Sequence, residues 1–150
     1  MPSELQRIFR TRDEEETIAA GEQIASLLEP PALVVLVGEL GAGKTTLAKG
    51  IVKGLGIGEP EEVCSPSFTL IQEYGDPPRV YHVDLYRIED AADLQTIGLE
   101  DLFDRAAVVL VEWGERFLSH LPLPRWEIFV KRLPDESREI QLRYTGTDSI

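Results

Sequence analysis

The fold of this chain is decided by one stretch, Ala32-Leu-Val-Val-Leu-Val-Gly-Glu-Leu-Gly-Ala-Gly-Lys-Thr45. The apolar, β-branched run at 32–37 predicts a short strand that is buried on both faces. The next eight residues match the pattern G-x-x-x-x-G-K-[ST], and a helix is predicted over 44–54. A strand, a glycine-rich turn and a helix in this order indicate a phosphate-binding loop.

The residue types in this turn suit the phosphates of a nucleotide. Glycines let the backbone approach closely, and successive backbone N–H groups and a helix N-terminus attract an anion. Lys44 would reach the β- and γ-phosphates, and the hydroxyl of Thr45 would ligate Mg²⁺. The predicted nucleotide contacts are Gly41, Ala42, Gly43, Lys44, Thr45 and Thr46. The alternative is a strand-to-helix turn that binds nothing; the dinucleotide pattern G-x-G-x-x-G does not fit.

Two acidic residues lie at the carboxyl ends of predicted strands. In open α/β sheets, ligands bind at this edge of the sheet. Glu112 follows the apolar strand 106–111, and we predict that it holds Mg²⁺ directly or through a water. Asp84 ends the strand 80–84 and would orient or deprotonate the attacking water, or bind Mg²⁺ through a water. The alternative for each is a polar residue at the end of a strand with no role in chemistry.

Other polar and aromatic residues flank these acids. Alternation along the strand places His82 on the same face as Asp84, where it is either a structural hydrogen-bonder or a catalyst. Arg87 would pair with Asp84, with a phosphate or with a partner protein. Trp113 is either packing or part of the nucleotide site. Ser65-Pro-Ser-Phe-Thr69 stands where nucleotide hydrolases carry a segment that senses the γ-phosphate.

The rest of the pattern predicts one α/β domain over 1–150, with no internal repeat and no dividing linker. Helices are predicted at 13–28, 44–54 and, in two pieces broken near Gly98, 91–103; strands are predicted at 32–37, 68–74, 80–84, 106–111, 125–131 and 140–144. The last two strands form an expected antiparallel hairpin. The predicted architecture is a P-loop NTPase-type three-layer sandwich, with a mixed, mainly parallel sheet and late antiparallel strands.

The composition excludes several other classes of protein. The 150 residues include 27 acids and 15 Lys plus Arg, giving a net charge of −12, and 43% of the residues are hydrophobic. This apolar fraction is too high for a disordered acidic chain, and no run is long enough to span a membrane. A single cysteine, Cys64, and the absence of an apolar leader favour the cytoplasm. The strong negative charge argues against a broad nucleic-acid-binding face.

Together these motifs resemble the TsaE (YjeE) family, the small bacterial ATPases of tRNA threonylcarbamoyladenosine biosynthesis. Gly38-Glu-Leu-Gly-Ala-Gly-Lys-Thr-Thr46, Ser65-Pro-Ser-Phe-Thr69, His82-Val-Asp-Leu-Tyr-Arg87 and Val111-Glu-Trp113 occur in the order and spacing of that family. The resemblance covers about residues 11–144. Ser67 replaces the usual threonine, and Glu39 stands where aspartate is frequent; both changes keep the chemistry.

The resemblance implies a P-loop protein that binds ATP and Mg²⁺, hydrolyses ATP slowly by itself and acts with TsaB and TsaD on adenosine 37 of tRNA. Its contact with tRNA would be indirect, through that complex. Carried over, Thr45 and Glu112 are the Mg²⁺ ligands, Lys44 and Asp84 the catalytic residues, and Trp113 a neighbour of the nucleotide. The family contacts adenine through its N-terminal segment and its late strands. In this chain, the corresponding candidates are Glu14, Thr17 or Arg138.

Two other functions remain open on the sequence. A small-molecule kinase would need an acceptor site and an arginine-bearing lid, but Arg79 is the sole Lys or Arg between Gly54 and Val80. A non-catalytic module would use nucleotide binding only to control assembly; the presence of both candidate acids favours hydrolysis. The segment 84–104 carries seven acids and one base, and is either a solvated face or a surface for a basic partner.

Overall fold

In the computed structural model, the central sheet is covered by helices on both faces. The structure describes residues 4–39, 41–59, 61, 63, 70–75 and 77–146, with side chains from residue 7 onward. The strands are β1 (Glu4–Thr11), β2 (Ala32–Val37), β3 (Ile71–Tyr74), β4 (Val80–Asp84), β5 (Val108–Glu112), β6 (Arg125–Arg132) and β7 (Arg138–Thr145). The helices are α1 (Glu14–Ala25), α2 (Lys44–Gly54), α3 (Ala92–Thr96), α4 (Leu99–Leu102) and a 3₁₀ helix (Gly114–His120).

The seven described strands form one mixed sheet in the order β1-β7-β6-β2-β5-β4-β3. The four central strands, β6, β2, β5 and β4, run parallel to one another. Antiparallel pairs add β7 and β1 at one side and β3 at the other. The predicted three-layer sandwich, with a parallel sheet centre and a late antiparallel hairpin, is therefore confirmed.

The predicted elements around the glycine-rich turn have the predicted bounds: β2 at 32–37, α2 at 44–54 and β4 at 80–84. The break of the 91–103 helix at Gly98 is also confirmed, because this residue takes a left-handed φ of 75° at the start of α4. Helix α1 ends at Ala25 rather than at 28, because the amide of residue 26 turns back to the carbonyl of Gln23.

One strand was missed by the sequence analysis. β1 pairs with β7 over all eight of its residues at the edge of the sheet. An edge strand is exposed on one side, so polar residues interrupt its apolar pattern. Phe9 packs against the core, whereas Ile8 is 61% exposed. This mixture weakened the periodicity by which strands are recognised.

Helices α1 and α2 pack together on one face of the sheet, and glycines let them approach closely. A Cβ added to Gly50 would lie 2.1 Å from the carbonyl oxygen of Ile18, and one added to Gly21 would lie 2.6 Å from that of Leu47. Asp13 caps α1 by accepting a 2.8 Å hydrogen bond from the backbone N–H of Glu16. This packing holds α2, which begins at the glycine-rich turn, against the sheet.

The other face of the sheet is covered by α3, α4 and the 3₁₀ helix. Side chains alternate between the two faces: Val109 and Val111 of β5 pack on this second layer, while Leu110 packs on the α1 and α2 side. The same alternation sends Glu112 toward the α1 and α2 side. The acids at the ends of β4 and β5 therefore face the helix that follows the glycine-rich turn.

A cluster of charged side chains around the buried Glu127 joins β6 to β7. Glu127 accepts hydrogen bonds from Arg125 Nε at 2.8 Å and from Arg143 Nη2 at 2.6 Å. Burial acts to raise the pKa of Glu127, but the two arginine hydrogen bonds outweigh it and hold the pKa below its ordinary value. The cluster stabilises the antiparallel side of the sheet.

Within the described ranges, no helix is both long and apolar enough to cross a membrane.

Candidate functional site

An open cleft of about 590 Å³ lies at the carboxyl ends of the central strands. This volume falls in the range of roughly 300–1,000 Å³ that is typical of small-molecule sites. It is lined by the predicted site residues Gly41, Gly43, Lys44, Thr45, Thr46, Asp84, Glu112 and Trp113, and by Tyr86, Arg87 and Arg138. Ala42 is buried behind the turn and lines the pocket on its opposite side. The structure thus brings the predicted residues together around one turn.

The glycine-rich turn has the backbone conformation that such a site needs. Gly41 and Gly43 have φ values of 82° and 112°, a region that favours glycine. A Cβ added to Gly41 would meet no atom within 4 Å, so this residue borders open space. Gly43 is the N-cap of α2, an eleven-residue helix whose positive end therefore faces the cleft.

Lys44 is the most informative side chain of the cleft. It is 5% exposed, and its Nζ has no hydrogen-bond partner among the residues that the structure describes. Its Nζ lies 3.9 Å from the ring centroid of Trp113. A buried ammonium without a hydrogen-bonding partner is costly, and a cation–π contact offsets only part of that cost. The chemistry of the position fits an anionic ligand.

Asp84 and Glu112 lie side by side at the ends of β4 and β5, where they are paired in register. Both are buried, yet both line the cleft. Asp84 Oδ1 accepts a 2.9 Å hydrogen bond from the backbone N–H of Tyr86. Glu112 Oε2 lies 2.5 Å from His82 Nε2. The cleft therefore presents two carboxylates opposite the start of α2.

The donors around this cleft fit a hard divalent cation. Thr45 offers a hydroxyl oxygen and Glu112 a carboxylate oxygen, the ligand types that Mg²⁺ prefers. Across the described ranges, no three His, Cys, Asp or Glu side chains gather into a complete metal site. A cation here would need oxygen atoms from water and from bound phosphates, as Mg²⁺ commonly does in phosphate-binding sites.

Tyr86 and Arg116 shape the cleft and were missed by the sequence analysis as site residues. The Tyr86 and Trp113 rings lie 5.1 Å apart, centroid to centroid, although Tyr86 is 59% exposed. Arg116 Nη2 donates hydrogen bonds to the carbonyl oxygens of Leu85 and Tyr86, the latter at 2.9 Å. Arg116 thus ties the 3₁₀ helix to the loop after β4. No local motif marks such a contact, because it joins residues about 30 positions apart.

A second, smaller pocket of about 250 Å³ adjoins the cleft and shares Gly43, Thr46 and Arg138 with it. Glu14 and Thr17 line this pocket, so the three residues named for adenine contact meet there. The hydroxyl of Thr17 already makes hydrogen bonds within the protein. Its Oγ1 donates to the carbonyl oxygen of Asp13 at 3.1 Å and lies 2.7 Å from the hydroxyl oxygen of Thr11.

The remaining predicted residues divide into three groups. Ser65-Pro-Ser-Phe-Thr69 and Cys64 lie outside the described residues. Arg87 is exposed and lines the cleft. Of the seven acids at 84–104, Asp84 is buried in the cleft, whereas the other six are exposed: Glu89, Asp90, Asp93, Glu100, Asp101 and Asp104.

Comparison with known proteins agrees with these features. Residues 11–140 match the family described as "Threonylcarbamoyl adenosine biosynthesis protein TsaE". The chain is 42% identical over 139 residues to the tRNA threonylcarbamoyladenosine biosynthesis protein TsaE of Bacillus subtilis, covering 92% of this chain and 85% of that protein. It is 40% identical over 130 residues to TsaE of Treponema pallidum, covering 87% and 95%.

A solved crystal structure has a similar fold to this chain. The crystal structure of Bacillus subtilis YdiB matches with a TM-score of 0.78 and 37% sequence identity, covering 95% of this chain and 88% of that one. Sequence and fold agree over nearly the whole chain, and this chain belongs to the TsaE family of threonylcarbamoyl adenosine biosynthesis proteins.

Proposed function

We propose that this chain is a Mg²⁺-dependent ATPase that supports threonylcarbamoylation of adenosine 37 in tRNA, within a complex with TsaB and TsaD. The observation that carries the proposal is the buried ammonium of Lys44, which finds no hydrogen-bond partner in the described part of the chain. A phosphate in the adjoining cleft would provide that partner. Membership in the TsaE family supports the assignment to this modification pathway.

Different residues of the chain bind the phosphates and the cation. The turn at Gly41 to Gly43 and the start of α2 hold the phosphates, and Lys44 bonds to their terminal oxygens. Thr45 and Glu112 hold the cation. Bound Mg²⁺ supplies neutralisation of the negative charge on the β- and γ-phosphate oxygens. Trp113 forms one wall of the cleft beside Lys44.

Asp84 is the residue that we propose to act on the attacking water. It is next to Glu112 on the adjacent strand, and one of its oxygens is fixed by the Tyr86 amide. The other oxygen is left to orient the water and to accept its proton, or to hold a water bound to the cation. The first role would align the nucleophile with the phosphate that it attacks, and the second would keep the cation beside that phosphate.

The charge of the chain fits a role in a protein complex. The chain has a net charge of −12. Six of the seven acids at 84–104 are exposed to solvent. Phosphate contacts from basic residues dominate binding to tRNA, so the surfaces that hold tRNA belong on the partners. We accordingly propose that the chain works in the cytoplasm and touches tRNA only through the complex.

A reconstituted modification reaction tests this function. Purified TsaB, TsaD, tRNA and the threonylcarbamoyl donor are combined with wild-type chain, with Lys44→Ala or with no added chain. We expect many rounds of modification only with the wild type, accompanied by phosphate release from ATP. Lys53→Ala is the matched control, because this lysine lies on the same helix but outside the cleft.

Three outcomes would contradict the proposal. Modification that continues unchanged without the chain would remove it from the reaction. Full modification with Lys44→Ala and no phosphate release would show that the chain is a non-catalytic assembly module. A transfer of phosphate from ATP to a small molecule would instead identify a kinase.

A further inference from the structure

His82 is a buried polar residue that the proposed reaction does not yet use. It lies on β4 two residues before Asp84, on the face that carries the cleft acids. Its register partner on β5 is Leu110, so Glu112 is its diagonal neighbour toward the cleft. The side chain is fully buried, and its Nε2 lies 2.5 Å from Glu112 Oε2.

We infer that His82 is a positioning residue that fixes the Glu112 carboxylate for the divalent cation. The inference rests on the proposed function, in which Glu112 holds that cation. The bond to His82 engages Oε2, one of the two carboxylate oxygens, from within the sheet. Glu112 lines the cleft, so the second oxygen remains available there.

The contact with Glu112 also indicates which atom donates the hydrogen bond. An ionised carboxylate only accepts hydrogen bonds, so the proton must be on His82 Nε2. His82 Nδ1 is buried without a partner in the described part of the chain.

A purely structural role does not account for this arrangement. An apolar side chain of similar size would fill the same space with no unpaired nitrogen, and burying an unpaired polar atom costs free energy. The contact to Glu112 is the interaction that His82 makes and an apolar residue would not. Outer partners of this kind orient metal ligands and influence metal affinity strongly.

Two variants separate positioning from packing. His82→Gln places an amide nitrogen where Nε2 lies and can still donate to Glu112, whereas His82→Met fills a similar volume and cannot donate. His120→Gln and His120→Met are the matched controls, because His120 is exposed and is the one other histidine of the chain. Thermal unfolding of each variant confirms that it is folded.

Cation affinity is measured directly, without turnover. Mn²⁺ replaces Mg²⁺, and its binding to the protein–ADP complex is followed by the loss of the free Mn²⁺ electron paramagnetic resonance signal. We expect His82→Met to weaken Mn²⁺ binding about 10–100-fold, and His82→Gln to stay within a few-fold of the wild type. Binding of ADP without metal should change little in either variant.

The outcomes distinguish this inference from the proposed function. Mn²⁺ binding by His82→Met at the wild-type affinity overturns the inference and leaves the cation site intact. Equal weakening in His82→Gln and His82→Met also overturns it, because the contribution would then be one of packing. A wild-type protein that binds ADP but no Mn²⁺ overturns the proposed cation site and the inference together.

A measurement on the wild type covers the case in which His82→Met does not fold. Nitrogen-15 spectra of the two histidine rings are assigned with His120→Gln. We expect a proton on His82 Nε2, and the signals of His82 to move when Mg²⁺ is added to the ADP complex, while those of His120 do not. A proton on Nδ1 instead of Nε2 would overturn the inference.

Discussion

Replacing Lys44 with methionine should stabilise the ligand-free protein and weaken nucleotide binding at the same time. Methionine keeps an unbranched side chain of similar length and removes the buried charge. The ammonium it replaces has no hydrogen-bond partner among the described residues and sits 3.9 Å from the Trp113 ring centroid. The two effects have opposite signs because the charge is useful only when an anion is bound.

The magnitudes follow from these contacts. Burying an unpaired ammonium costs several kcal/mol of folding free energy. The cation–π contact with the aromatic ring offsets up to about 2 kcal/mol of that cost. We therefore expect Lys44→Met to raise the free energy of unfolding by about 1–3 kcal/mol, or Tm by about 2–10 °C in a chain of this size. Loss of a charge-assisted bond to phosphate, about 1.5–3 kcal/mol, should weaken ADP binding about 10–150-fold.

Thermal unfolding without nucleotide and calorimetric titration with Mg²⁺ and ADP measure the two effects. Lys53→Met is the control, because Lys53 forms a partly exposed ion pair with Glu22 at 3.2 Å and lies outside the cleft. Its stability should change by less than about 1 kcal/mol, with unchanged ADP binding. A lower Tm for Lys44→Met, or ADP binding as tight as in the wild type, would refute the reasoning.

Three further substitutions test other parts of the account. Asp84→Asn should lower kcat for ATP hydrolysis about 10²–10⁴-fold while ADP binding, measured by calorimetry, stays within a few-fold; an unchanged kcat would exclude a role for this carboxylate. Glu127→Gln should lower the free energy of unfolding in urea by about 1–2 kcal/mol at pH 7. Because the folded-state pKa of Glu127 is lowered, that difference should shrink as pH falls below the ordinary carboxylate value of 4.5; a constant difference would contradict the assigned cause. Gly50→Ala should cost at least about 1–3 kcal/mol, because its Cβ would lie 2.1 Å from the Ile18 carbonyl oxygen, whereas exposed Gln23→Ala should stay within about 0.5 kcal/mol.

The centre of the fold was predictable because its signals are local. An apolar run, a glycine-rich turn and a helix follow one another without interruption, and the bounds of β2 and α2 were predicted correctly. The acids at the strand ends were also predictable, because an acidic residue at the end of an apolar run can be recognised in the sequence. The structure places Asp84 and Glu112 in one cleft with the turn.

The features that were missed depend on which strands are neighbours. β1 has a weak apolar pattern because it is an edge strand, and its pairing with β7 joins the two ends of the described chain. The contact between His82 and Glu112 requires that β4 and β5 be adjacent and in one register. Arg116 reaches the loop after β4 for the same reason. Sequence spacing alone does not specify such pairings.

Phosphate release from ATP by the purified chain tests the central claim most directly. The account predicts slow release that requires a divalent cation and is lost in Lys44→Met, although this variant is folded and at least as stable as the wild type. Release by Lys44→Met at the wild-type rate, or release that is unaffected by removal of the cation, would contradict it.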